Sequence, residues 1–408
     1  MIRLPITLII IFAISSCLFQ ETDIIDKEKI ISNTLIVSSE DLIRDYRKYP
    51  HDDSNILLSE IKLDYKFDQP WGIEFLNDNS IILTEKKGYL SHINLKTKTV
   101  HRVKHNIPSI QEGQGGLLDL LYHKDFLYLS FTIKNNQGKT TTAIGRGKFT
   151  EPFKELKNFQ IIFTALPFIN DGKHFGSRLL ILNEHLYASI GERGQGSIAQ
   201  DPQAHPGSII RINLNGTIPS DNPFSKEKKE WLPEIFQIGV RNPQGMAISP
   251  DNQIYISNHG AKGGDFIGMI KEGGNYGWNE IGWGGTNYIG TKIGTGQPFK
   301  PEFTTPILTW VPSIAPSDIV FYLGDEFSEW NGNLLITSLK YKMLIKIALK
   351  EHKVKTELII LKDKIGRIRD VDINSKGEIF LITDEKNSSI WKLTKTEKLK
   401  ITDVISKY

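Results

Sequence analysis

Six stretches of this chain repeat one plan, and that repeat limits the fold more than any other feature. They start at Pro70 (PWGIEFLNDNSIILTEKKGYLSHINL), Gly116 (GLLDLLYHKDFLYLSFTI), Gly176 (GSRLLILNEHLYASIGERG, with SIIRINL following at Ser208) and Pro243 (PQGMAISPDNQIYISNHG). The last two start at Pro316 (PSDIVFYLGDEFSEWNGNLLITSL) and Ile368 (IRDVDINSKGEIFLITDEKNSSIWKL). Each has a small or polar lead, an apolar strand, a turn rich in Asn, Asp, Gly or Lys, a second apolar strand and a small polar exit. Most continue into a further strand with a short apolar triplet, such as Ile93-Asn94-Leu95 or Trp391-Lys392-Leu393. The spacing is roughly 45 to 75 residues.

A unit of four short antiparallel strands, repeated six times, predicts an all-β six-bladed β-propeller over residues 60–396. One blade cannot bury both its faces; stacked blades can. Glu60 to Phe67 alternates cleanly and is expected to close the ring as the outer strand of the last blade. No long amphipathic helix separates the strands, which excludes an α/β fold. Residues 397–408 read as a C-terminal tail.

The N-terminus, MIRLPITLIIIFAISSC, has one cation, an apolar run from Leu4 to Ile14 and then Ser15-Ser16-Cys17. The run is short for a membrane span and reads as a signal-peptide core over residues 1–16. Ile14 to Cys17 resembles a bacterial lipobox, and Cys17 is the chain's single cysteine. The expectation is export, a lipid anchor on Cys17 and a tether over residues 17–59 with one short helix from Ser39 to Tyr46. Leu18 after the cysteine favours the outer membrane in species that sort by that position, so the expected place is the periplasmic face of the outer membrane or the cell envelope. The formal net charge of +3, without a basic run, gives no case for a nucleic-acid partner.

In a propeller the innermost strands surround an axial channel, so residues at their leads and exits converge. Here those are Gln114, His174, Arg241, Asn242, Gly260, Ala261, Ser313, Lys340, Arg367 and Arg369. Four are permanent cations, and no carboxylate partner is apparent among the set. A ring of uncompensated cations is costly unless an anion fills it, so a multiply charged anionic ligand is expected.

The motifs EGQGGLL, KHFGSRLL, AQDPQAHPGSIIRINLNGTIPSDNPF, VRNPQG, GGNYGWNEIGWG, PSIAPS, SLK and RIRDV follow one another in this order. Together they resemble the sugar dehydrogenases that depend on pyrroloquinoline quinone (PQQ), the soluble glucose and aldose sugar dehydrogenase group. The resemblance spans about Asp68 to Leu393 and implies a six-bladed propeller. It implies that Lys340, Arg367 and Arg369 hold the carboxylates of PQQ, a flat tricarboxylate, and that Gln114, Asn242 and Ser313 give it hydrogen bonds. Arg241 would lie beside the reactive quinone carbonyl, and Gly260 and Ala261 would offer backbone carbonyls to calcium. His174 would be the general base that takes the proton of a sugar's anomeric hydroxyl as hydride passes to the quinone, leaving a lactone. A separate electron acceptor, a quinone or a cytochrome, would follow, since no haem-attachment motif is present.

Some positions depart from that group. Lys173 stands where glucose-selective members carry Asp, so glucose specificity does not carry over. Phe266 follows Asp265 where Glu is common, so no second, structural calcium is expected. Asp119 replaces a usual Gly and reads as a surface change or a local backbone difference. Trp283 and Trp310 fit a substrate wall or blade packing equally, and His123, His205 and His259 read as structural. Two rivals stand beside the dehydrogenase: a cell-surface propeller that binds without turnover, and a calcium-dependent lactonase. The lactonase needs axial carboxylates and amides on its metal, where these motifs supply cations.

Overall fold

The structure is a computed structural model that describes residues 42–396. Cys17, the signal segment and the tail from 397 lie outside the described residues. Six sheets follow one another along the chain. Blade 1 is Pro70–Asn77, Ser80–Glu85, Tyr89–Asn94 and Thr99–Arg102; blade 2 is Leu117–His123, Phe126–Lys134, Thr140–Lys148 and Lys157–Thr164. Blade 3 is Gly176–Leu182, His185–Ile190, Ser208–Asn213 and Ile235–Ile238; blade 4 is Pro243–Ile248, Ile254–Asn258, Asp265–Met269 and Leu308–Trp310. Blade 5 is Pro316–Phe321, Leu334–Ser338, Met343–Lys350 and Lys353–Lys362; blade 6 is Ile368–Ile373, Ile379–Thr383 and Ile390–Lys395. The propeller expectation is met.

Blade 6 takes its fourth strand from the other end of the chain, and here the structure corrects the expected strand. Ile56–Glu60 pairs antiparallel with Ile390–Lys395. The alternation seen at 60–67 has another cause: Phe67 is buried, and Ile61, Leu63 and Tyr65 pack half-buried against the core that blade 1 shares with blade 6. The tether is corrected too. Within the expected helix, Ile43–Arg44 forms a strand parallel to Leu308–Trp310 at the edge of blade 4, followed by a 3-10 turn over Tyr46–Lys48. Tyr46 is buried against blade 5 residues such as Met343 and Ile345, so the chain joins the propeller well before residue 60.

Apolar residues fill the spaces between blades, each buried Leu or Ile contributing roughly 1.5–3 kcal/mol. Trp283 and Trp310 both belong to these inter-blade cores, which makes them packing residues. Along the axis, carboxylates join neighbouring inner strands. Asp119 accepts from Leu179 N at 2.7 Å; Asp370 accepts from Ile73 N at 2.8 Å and Asp372 from Phe75 N at 2.9 Å. The latter two join the inner strands of blade 6 and blade 1, which lie at opposite ends of the propeller sequence. Asp119 is therefore neither a surface change nor a backbone adjustment. It is a buried partner of Arg178, whose guanidinium reaches Asp119 and Asp370 at 2.8 Å and Asp318 at 3.3 Å. Burial pushes the Asp119 carboxyl up to about 7, against the pull of Arg178.

Candidate active site at the axial mouth

First and second strands of a blade run antiparallel, so the start of one and the end of the other meet at the same face. That face opens into an axial cavity of about 190 Å³. First-strand leads supply Gln114, His174, Arg241, Asn242, Ala315 and Arg367, and the strands themselves Trp71, Gln244 and Arg369. Second-strand exits supply Lys86, His259, Leu339 and Asp384. Tyr288, from a loop of blade 4, completes the wall and is 69% exposed.

Of the residues singled out from sequence, Gln114, His174, Arg241, Asn242, Arg367 and Arg369 line this one cavity. Four others do not. Lys340 follows Leu339 but is exposed, its ammonium 5.1 Å from the Tyr341 ring. The Ser313 hydroxyl donates to Asp265 at 2.7 Å, so it acts on the wall from behind. The same buried carboxylate accepts from Gly260 N and Ala315 N, both at 2.7 Å, and so fixes the turn that carries Gly260 and Ala261.

His174 sits in a left-handed conformation, φ 51°, and Gln114 Oε1 accepts from its backbone N at 2.8 Å. Its Nδ1 lies 2.6 Å from Oε1 of Glu192, a buried residue at the exit of blade 3's second strand. A carboxylate can only accept, so Nδ1 carries the proton and Nε2 is the basic nitrogen. Burial lowers the His174 pKa; Glu192 raises it in opposition and Arg241 lowers it further. The imidazole is therefore neutral near pH 7. Burial alone would raise the Glu192 carboxyl, yet His174 and Gly196 N hold it below its ordinary value. Arg241 Nε stands 4.0 Å from the same oxygen, and the guanidinium faces the Trp278 ring at 5.3 Å.

On the opposite wall, Arg369 donates to Asp384 at 2.6 Å and to Gln244 Oε1 at 2.7 Å. Arg367 lies 3.5 Å from Asp384 and is partly exposed. The ring of cations is thus partly compensated, by Glu192 and Asp384, where none was expected. Lys86 adds a cation, so the wall holds four cationic groups against these two carboxylates. The excess is positive, and buried Arg369 Nε has no partner among the described residues. His259 is pushed down to about 3 by burial and Arg241, and it faces Pro316 O at 2.7 Å; it is a structural neutral imidazole in the wall. Glu192, Asp384, Lys86 and Trp71 escaped the sequence reading. The signal for the first three was position, since all follow a second strand.

At the axial mouth of this propeller a neutral imidazole paired with a carboxylate faces guanidinium groups suited to an anion. The Glucose/Sorbosone dehydrogenase family profile matches residues 67–392. The chain belongs to that family and is a sugar dehydrogenase of the PQQ type. It is 35% identical over 342 residues to aldose sugar dehydrogenase YliI of Escherichia coli, covering 81% of this chain and 91% of that one. It is 26% identical to quinoprotein glucose dehydrogenase B of Acinetobacter calcoaceticus, covering 81% and 85%. The apo-form crystal structure of the soluble E. coli aldose sugar dehydrogenase superposes with a TM-score of 0.78 at 32% identity, covering 84% of this chain and all of that one.

Proposed function

We propose that the chain oxidises an aldose at the anomeric carbon to a lactone, or a related sugar or alcohol, with PQQ and calcium as cofactors and His174 as base. The observation that carries this is the His174–Glu192 pair in one cavity with Arg241, Arg367 and Arg369. The residues present fit a flat polyanion: the wall has excess cation, and Arg369 Nε lacks a partner. Arg369 and Arg367 would hold its carboxylates, with Lys340 at the rim and the amides of Gln114 and Asn242 beside it. The carbonyl oxygens of Gly260 and Ala261 accept no hydrogen bond among the described residues, which suits calcium, a cation that prefers oxygen ligands. The name of the Acinetobacter relative, a quinoprotein, supports the quinone. When bound, PQQ supplies the hydride acceptor and calcium the Lewis acid.

This chain's own residues do the rest. His174 Nε2 takes the proton of the anomeric hydroxyl, which leaves the carbon's hydride free to depart with its electron pair. Glu192 stabilises the imidazolium that forms. Arg241 offers positive charge where negative charge grows. Lys173, beside the base, is exposed and lies 3.6 Å from Asp171; as a cation it cannot accept a sugar hydroxyl. Electrons then pass to a separate acceptor, a quinone or a cytochrome. The lipid anchor on Cys17 and the outer-membrane location rest on sequence alone; mass spectrometry of the membrane fraction should find a diacylglyceryl cysteine at the mature N-terminus.

The test is dye reduction by purified protein loaded with PQQ and calcium, scanned over aldoses, with His174→Ala beside it. Turnover by the parent and its near-complete loss in the variant support the proposal. Tight PQQ uptake without turnover by the parent would mark a binding module instead.

A further inference from the structure

His174 owes its place to a loop, residues 171–175, that the chain could not hold by local preference. A left-handed residue that is not glycine is unfavourable and persists only where its surroundings determine it. The surroundings centre on Arg193, one residue beyond Glu192 and fully buried. Its Nε donates to Lys173 O at 2.9 Å. Its Nη1 donates to Thr140 O and its Nη2 to Thr140 Oγ1, both at 2.8 Å, and Nη2 also reaches Asp171 O. The guanidinium plane lies over the Phe175 ring, 3.7 Å from its centroid. Arg193 N donates to His174 O at 3.3 Å. One side chain thus touches the residues on both sides of the base. Gly191 completes the fit, because a Cβ there would meet His174 O at 2.1 Å.

The partners are unusual for a buried cation. Among the described residues no carboxylate lies within 4.0 Å of it; backbone carbonyls and a hydroxyl take their place. The guanidinium instead ties together three backbone carbonyls and a hydroxyl from two separate segments, residue 140 and residues 171–173. A forked donor that spans carbonyls pointing in different directions is what a planar guanidinium does and an ammonium cannot.

We propose that Arg193 is the positioning residue of the base: its guanidinium fixes the 171–175 loop so that the His174 imidazole meets Glu192 and faces the cavity. The inference rests on the dehydrogenase reading for its kinetic arm only. Misplacing a catalytic group by about 1 Å costs on the order of a hundredfold in rate. The expected result for Arg193→Lys, in the full chain with PQQ and calcium, is therefore a kcat lower by roughly 10- to 100-fold with little change in KM or PQQ affinity. Arg193→Ala should lose more and regain part of its kcat with added guanidinium ion. The second arm needs no cofactor. In cofactor-free protein, nitrogen–proton NMR of the histidine rings should show the His174 Nδ1 proton held by Glu192 in the parent. In Arg193→Ala that signal should be lost, and guanidinium should restore it.

An Arg193→Lys chain with wild-type kcat and an unchanged Nδ1 signal overturns the proposal. So does a folded Arg193→Ala chain that guanidinium does not rescue. Should Arg193→Ala fail to fold, the Lys variant decides. If the parent oxidises no aldose, the dehydrogenase reading fails by itself, and the NMR arm still tests whether Arg193 places the base.

Discussion

Replacing Glu192 by Gln isolates the charge behind the base while keeping its shape. The Gln amide oxygen can still accept from His174 Nδ1, and the side chain fills the same space. What disappears is a carboxylate 2.6 Å from the imidazole and 4.0 Å from Arg241 Nε. A hydrogen bond to a charged group contributes about 1.5–3 kcal/mol, and the imidazolium exists only as the proton moves. The loss falls on the transition state, so kcat should drop by roughly 10- to 150-fold. The pH profile should move as well. Glu192 raises the His174 pKa while burial and Arg241 lower it. Without the carboxylate the lowering causes are opposed only by the weaker pull of Asp171, so the acidic limb of kcat/KM shifts to lower pH as the plateau falls. The assay is dye reduction across pH 4.5 to 8 with PQQ and calcium saturating, and PQQ titration as a control. An unshifted limb together with a wild-type plateau would refute the dyad, and weaker PQQ binding alone would move Glu192 to the cofactor.

Three further outcomes are expected. Arg369→Met removes the donor set that includes the unpartnered Nε, so PQQ affinity by fluorescence titration should fall about 10- to 150-fold; unchanged affinity would contradict the assigned wall. Asp372 is pushed up to about 7, first by burial, so it favours the fold while protonated and loses that contribution as pH rises through 7. Asp372→Asn cannot ionise, so its unfolding free energy from urea melts should gain on the parent between about pH 4 and 7, by a few kcal/mol at most, and hold level above. A chain that begins at Ile61 lacks the fourth strand of blade 6 and should melt roughly 5–10 °C lower by calorimetry; an unchanged melting temperature would show that Ile56–Glu60 does not close the ring.

The blades were legible because a strand buried on both faces still reads as an apolar run, and the turns between runs carry Gly, Asn or Asp. The lead residues were legible for the same reason, since Gln114, His174, Arg241 and Arg367 each stand just before an inner strand. The second-strand exits were legible only in blades 4 and 5, and there a residue late, at Gly260 and Lys340 rather than His259 and Leu339; Lys86, Glu192 and Asp384 hold the corresponding places in other blades. Taken singly, a Glu after a strand is an ordinary surface residue; only the antiparallel pairing of first and second strands turns it inward. Asp119 was misread because its partner is remote. Nothing near it in sequence announces Arg178, 59 residues away. The closing strand failed differently. Residues 60–67 alternate as a ladder strand should, and alternation alone does not separate pairing from packing against a neighbouring core.

Aligning the inner strands by position shows how the axis divides. Their third residues are Gly72, Asp119, Arg178, Gly245, Asp318 and Asp370, which gather around Arg178 in a buried acidic cluster. Below it, Glu74 and Asp372 line a second cavity of about 130 Å³. The mouth above carries an excess of cations. Trp71 lies between the two halves, its ring 4.7 Å from the Arg178 guanidinium and 5.6 Å from that of Arg369. The cation-rich mouth therefore gives way to a carboxyl-rich floor across one indole. Charges buried this way are little screened by salt, so an anion is drawn to the cationic mouth. The same carboxylates that hold blade 6 to blade 1 and blade 2 to blade 3 thus set the floor of the site. Truncating them to Ala would remove the hydrogen bonds that join these inner strands and so loosen the floor together with the ring.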